Sequence, residues 1–159
     1  MIHIMKKGPM QALDAFTLLD TRYQEEGYVA KHTGFLEETF FFWRFLVFYW
    51  KLLTIVSSLL VATDEEGHIQ GMLSVSIFKK WRTPFGRSFK AQISSIQKSH
   101  NRLVYVGSFA TSHDVSCTKT ALRLISTIKK VSLNLNADAC ICIVNPKHVD
   151  VYKKFGFRT

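Results

Sequence analysis

The sequence predicts an α/β fold: a mixed, mostly antiparallel central sheet flanked by helices. Three observations carry this. Leu13, Phe16, Leu19 and Tyr23 recur at helical spacing over residues 11–26. Two apolar runs flank Asp64-Glu65-Glu66-Gly67, which is a hairpin signal. The run Ala139–Val144 leads into Asn145-Pro146, a helix start, and Gly156 sits where a left-handed C-terminal cap belongs.

Taken in order, the first helix ends at Gly27. Phe40 to Ala62 is 23 residues and nearly all apolar, long enough for a membrane span, but Arg44 and Lys51 inside it oppose that reading. The expectation is an aromatic segment, Phe40–Trp50, followed by a buried strand, Leu52–Thr63. The hairpin partner is Ile69–Phe78, with Gly71 early in it. Pro84 and Gly86 mark 79–101 as loop or weak structure. Arg102–Thr111 reads as the next strand. A helix then runs from Ser112-His113-Asp114 to about Leu135, with Ala121, Leu122, Ile125 and Ile128 inward and Lys119, Arg123, Lys129 and Lys130 outward. The last strand, 139–144, precedes a helix of about ten residues that carries Tyr152.

One domain is expected for 159 residues, with 47% apolar content arguing against disorder. No apolar stretch follows Lys6 and Lys7, so no secretory signal is read and the expected location is the cytoplasm. Cys117, Cys140 and Cys142 are too few to pair fully and have no ligand spacing, so core thiols and no metal are expected. Charge is uneven: residues 1–80 carry a net −1 and residues 81–159 a net +10. Between Gly67 and His113 lie Lys79, Lys80, Arg82, Arg87, Lys90, Lys98 and Arg102 with no acid. Such a surface attracts polyanions: phosphates, an anionic membrane, an acidic protein or nucleic acid. No nucleic-acid motif accompanies it, so a nucleic-acid-binding domain is the weakest reading.

Asn145, His148, Tyr152 and Gly156-Phe157 keep the spacing of the last helical motif of the GNAT N-acyltransferase superfamily. The wording Asn145-Pro146-Lys147-His148 and the stretch Arg22-Tyr23-Gln24-Glu25-Glu26-Gly27-Tyr28 most resemble the long-chain N-acyl amino acid synthases, and more remotely the acyl-homoserine-lactone synthases. Relatives continue with at least one further strand, so the resemblance implies a single domain over 1–159 lacking the usual C-terminal strand, shortened or truncated, with an oligomer as one way to complete it.

The resemblance implies an acyl-thioester donor whose pantetheine arm enters between strands 102–111 and 139–144 and is held by Gly107, Ser108, Phe109, Ala110 and Thr111, with Asn145 and His148 nearby. Tyr152 is the implied catalytic acid to the leaving thiolate, and the acceptor is the amine of an amino acid or similar small molecule. Coenzyme A users carry a glycine loop where this chain has Thr111-Ser112-His113-Asp114-Val115-Ser116-Cys117-Thr118, so an acidic acyl carrier protein is favoured over acyl-CoA as donor. Two departures stand out. Tyr105 and Ser108 occupy positions where the synthases carry Glu and Arg. His113, His148, Glu25 and Glu26 are left as substitute groups, and a catalytically inactive carrier- or thioester-binding module is the alternative. The Phe40–Trp50 cluster is read as core, or as the lining of an acyl tunnel, and contact with a membrane surface is a further expectation.

Overall fold

The computed structural model describes residues 1–5, 8–29, 31, 35–54, 58–78, 89–113 and 117–158. Its elements are β1 (Ile2–Ile4), α1 (Pro9–Glu25), α2 (Phe35–Thr54), β2 (Ser58–Thr63), β3 (Ile69–Ile77), α3 (Lys90–Ser99), β4 (Leu103–Thr111), α4 (Cys117–Asn134), β5 (Ala139–Cys142), a 3-10 turn (Pro146–His148) and α5 (Val149–Lys154). The strands form one sheet in the order β1-β2-β3-β4-β5. The first three pairings are antiparallel and β4–β5 is parallel. This is the mixed, mostly antiparallel sheet that the sequence predicts.

Period-two alternation divides the core between the two faces of the sheet. Leu60, Leu73, Val75, Val104 and Val106 meet α4 through Leu124, Ile125, Ile128 and Val131. Leu59, Val61, Met72 and Ala110 meet α1 and α2. Pro9 opens α1 at its first helical position, and Ala12, Ala15, Phe16 and Leu19 make its buried stripe. Gly71 is required where α4 crosses β3: a Cβ there would lie 2.8 Å from Thr120 Cγ2 and 3.0 Å from Leu124 Cδ1. In the β2–β3 turn, the Asp64 carboxylate accepts from the His68 amide at 2.7 Å and from Gln70 at 2.9 Å.

Several expectations are corrected. Phe40–Trp50 and the residues after it are one helix, α2, which runs to Thr54; the strand begins at Ser58, not Leu52. The rings of Phe41, Phe45 and Phe48 pack around Phe16 at centroid distances of 5.2, 5.8 and 5.2 Å. Each such pair contributes about 0.5–1.5 kcal/mol beyond area burial. Arg44 is not stranded in this apolar helix, because its Nη2 lies 2.6 Å from the buried Asp20 carboxylate of α1. Residues 90–99 form α3 rather than a loop, and Ile2–Ile4 form an edge strand. On α4 Leu122 is exposed, and Leu124 joins Ile125 and Ile128 on the buried side in its place. The expected loop at Pro84 and Gly86, the cations Lys79, Lys80, Arg82 and Arg87, and Asp114 lie outside the described residues.

Candidate active site

The site begins with a change of partner along β4. Leu103, Val104, Tyr105 and Val106 pair with Ala139, Ile141 and the two cysteines of β5. Beyond Val106 this pairing stops, while β4 stays bonded to β3 as far as Thr111. Gly107–Thr111 therefore presents one side of its backbone to a gap between the strands. A bulge sits at the same place. The register with β3 slips between Met72 and Ser74, and Ser108 takes a positive φ of 50°. One extra residue inverts the alternation: Val106 and then Phe109 face the α4 side, whereas Ala110 turns to α1. The Ser74 hydroxyl donates to the Gly107 carbonyl at 2.8 Å and fastens the bulge to β3.

Tyr152, on α5, lies near Cys142, where the β4–β5 pairing ends. Asn145 caps the preceding turn by accepting from the Lys147 amide at 3.1 Å, and Pro146 fixes its first residue. Gly156, at φ +88°, ends α5 and returns Phe157 onto Tyr152 edge-on at 5.4 Å. Tyr152 is only 7% exposed. Burial, then the nearness of Cys142 and Tyr23, pushes its phenol well above the usual tyrosine value. Tyr105 shares the neighbourhood. Burial first, then Tyr23 and Cys142, pushes its phenol up to about 12. Burial and Cys140 push Cys142 up to about 12. Tyr23 is raised too, by burial and by Tyr28. These groups are protonated at neutral pH, so the pocket is a set of neutral O–H and S–H groups. Tyr105 folds back along its own strand: a Cβ on Gly107 would lie 2.6 Å from its ring. Glycine at 107 is what lets that ring lie there.

Around the mouth, the end of α1 is tied to both lips. Arg22 donates to Glu25 at 2.6 Å, and His113, just past β4, lies 2.8 Å from the same carboxylate oxygen and also touches Arg22. Lys147, on the β5 side, bonds Glu26. Lost hydration pushes the Glu25 carboxyl up, but hydrogen bonds from His113 and Arg22 outweigh it and leave it below the usual carboxylate range. The Lys147 bond does the same for Glu26, against lost hydration. His148 is exposed beside Glu26.

Of the sequence-derived residues, Gly107–Thr111 lies on the part of β4 that β5 leaves unpaired, Tyr152 lies near Cys142 at the end of that pairing and lines the cavity around β5, and Asn145 and His148 sit in the turn before α5, with Glu26 tied to Lys147 of that turn and Glu25 to His113 past β4. Sequence reasoning passed over Tyr23 as a site residue and treated Tyr105 only as a loss. The resemblance over Arg22–Tyr28 held the signal for Tyr23. A cavity of about 990 Å³ wraps β5, lined on its apolar walls by Phe78, Ile93, Ile96, Ile141, Tyr105 and Tyr152. On its inner side the aromatic cluster of α2 is core, with Phe41, Phe45 and Phe48 packed on Phe16.

The model of the N-acyl amino acid synthase FeeM family matches residues 14–159. No curated protein matches the sequence. The fold superposes on FeeM, an N-acyl amino acid synthase from uncultured soil microbes, with TM-score 0.77 at 19% identity, covering 99% of this chain and 78% of that one. It also resembles a predicted acetyltransferase with acetyl-CoA from Clostridium acetobutylicum (TM-score 0.67, 14% identity, 100% and 91% covered). A third similar structure is glucosamine-6-phosphate N-acetyltransferase from Arabidopsis thaliana (0.62, 13%, 100% and 91%).

Proposed function

The chain belongs to the N-acyl amino acid synthase FeeM family, a family of N-acyltransferases, and from that premise we propose that it moves a fatty acyl group from a carrier-protein thioester to the amine of an amino acid or similar small acceptor. The observation that carries this reading is the change of partner along β4: Gly107–Thr111 has no β5 partner, and the buried Tyr152 phenol lies near Cys142, where the β4–β5 pairing ends. A pantetheine arm is a chain of amides, and an open strand side offers it the N–H and C=O groups that β5 leaves unused.

The reaction needs a proton acceptor and a proton donor. Tyr105 stands where relatives carry a carboxylate, and a phenol pushed up to about 12 is no base at neutral pH. The Glu25–His113 pair takes that role: the imidazole accepts the amine proton, and the carboxylate stabilises the cation formed. The amine nitrogen bonds to the thioester carbon, the C–S bond breaks, and the electron pair leaves on sulfur. Backbone N–H groups of 107–111 support the oxyanion. Tyr152 gives its proton to the thiolate and regains one from solvent. Its raised pKa does not defeat this, because the same dry pocket raises a thiol as well. Burial pushes the Cys142 thiol up in the same way, to about 12.

The carrier protein is favoured as donor by the net +10 of residues 81–159, which complements an acidic partner, and by a loop after β4 with no glycine to cradle a pyrophosphate. The apolar cavity around β5 suits the acyl chain, at about 0.8 kcal/mol per buried methylene. A second reading, a binding module without turnover, is favoured by Tyr105 and Ser108 alone. The two separate on incubation with acyl carrier protein and mixed amino acids, followed by mass spectrometry. N-acyl products that fall about 100-fold in Tyr152→Phe support the transferase. Carrier binding with no product supports the module.

A further inference from the structure

We propose that the cavity around β5 binds a free fatty acid, with its carboxylate held by Ser132 and Lys129 and its tail running toward Tyr152. On the α4 side of β5, Ile125, Ile128 and Leu133 of α4 and Val149 and Phe155 of α5 line this cavity. Ser132 of α4 lines it too. That residue is only 8% exposed, and its buried hydroxyl has no hydrogen-bond partner among the described residues. Buried polar groups are nearly always paired, so an orphan hydroxyl in a cavity wall points to a ligand that carries a polar atom. Lys129 stands three residues before it on the same face of α4, is exposed, and lines the same cavity.

The two ends of the cavity differ. Ser132 marks the end where β5 begins: its carbonyl accepts from the Ala137 amide at 3.0 Å, just before Ala139 opens the strand. Tyr152 marks the other end, near Cys142, the last residue of β5. Ile125 and Ser132 are two turns apart on α4, roughly 10 Å, so the apolar stretch between the ends takes an alkyl chain. A hydroxyl and an ammonium together match a carboxylate, because both donate to an anionic oxygen. Charge around the cavity agrees. Lys129, Lys153 and Arg158 line it against one carboxylate, Asp138, which already accepts from the Asn101 and Arg102 amides at 2.8 and 3.1 Å. Lys153 lies 3.9 Å from Asp150 of its own helix, which leaves Lys129 and Arg158 for the anion. A donor acyl chain enters from the Tyr152 end, so under the proposed transfer the free acid lies head to tail with it and competes. The binding itself does not depend on that transfer.

The test is isothermal titration of the full chain with decanoate and with decanol, both within their aqueous solubility. The expected result is binding of the acid at least tenfold tighter than of the alcohol. Ser132→Ala weakens acid binding at least fivefold, and the thermal midpoint of the unliganded chain does not fall, since the hydroxyl removed is an unpaired one. Lys129→Gln, at an exposed position, also weakens the acid and leaves the alcohol unchanged. Equal affinity for acid and alcohol overturns the proposal, as does failure of both to bind. So does acid binding unchanged in Ser132→Ala, which with a lowered midpoint marks a hydroxyl bonded to internal water. Titration needs no turnover, so a chain without transferase activity still gives one of these results.

Discussion

The two halves of β4 share a strand and differ in everything that matters for chemistry. Leu103–Val106 is zipped between β3 and β5, and its Leu103, Val104 and Val106 are buried. Gly107–Thr111 keeps β3 but loses β5, and it carries the bulge, the positive φ of Ser108 and the one glycine of the strand. The first half behaves as core: its side chains hold α4 and α3 to the sheet. The second half leaves one side of its backbone without a β5 partner, and under the proposed function that side holds the donor arm. Stability and function are therefore expected to separate along nine consecutive residues, and the separation can be broken from either side.

The largest effect belongs to the closed half. Leu103→Ala opens a cavity against Phe78 and Ile93 and lowers unfolding free energy by about 3 kcal/mol, read by denaturant titration. Tyr152→Phe removes one oxygen and keeps the ring against Phe157, so stability changes little while acyl transfer drops about 100-fold, read by product formation. Gly107→Ala forces the Tyr105 ring off its present position and costs about 1–3 kcal/mol of stability, with a matching loss of thioester binding. Ser108→Gly relieves the left-handed backbone but frees the unfolded chain, so stability moves by less than about 1 kcal/mol. The smallest effect is acid loosening of the rim. Glu25 and Glu26 both have carboxyls below the usual range, so their ties to His113 and Lys147 are whole at neutral pH and are lost as pH falls through those lowered values. Amide exchange at His113 follows that loss, and Glu25→Gln removes its pH dependence.

The β2–β3 hairpin and the closing motif were legible because their signals are local. Asn145, Pro146 and Gly156 each do what their residue type favours, and the β2–β3 turn follows from Asp64 to Gly67. The helix α2 was hidden by its own composition. It is apolar both where it packs on Phe16 and where it faces outward, so no period stands out, and its end was read as strand. α3 has few apolar residues, of which Ile93 is buried and Ile96 packs against the same cluster, and β1 is a three-residue edge strand. At the site, Tyr152 could be found by spacing from Asn145. Tyr23 and Tyr105 could not be joined to it, since α1, β4 and α5 meet only through the tertiary fold. The pairing of Glu25 with His113 spans 88 positions and has no local signature either.

The open half of β4 is tested most directly by amide hydrogen exchange with and without a fatty-acyl pantetheine. The thioester should slow exchange within Gly107–Thr111 and leave Leu103–Val106 unchanged, with the effect kept in Tyr152→Phe. Equal protection along the whole strand, or none at 107–111 when the thioester is bound, would contradict a donor arm held by that gap.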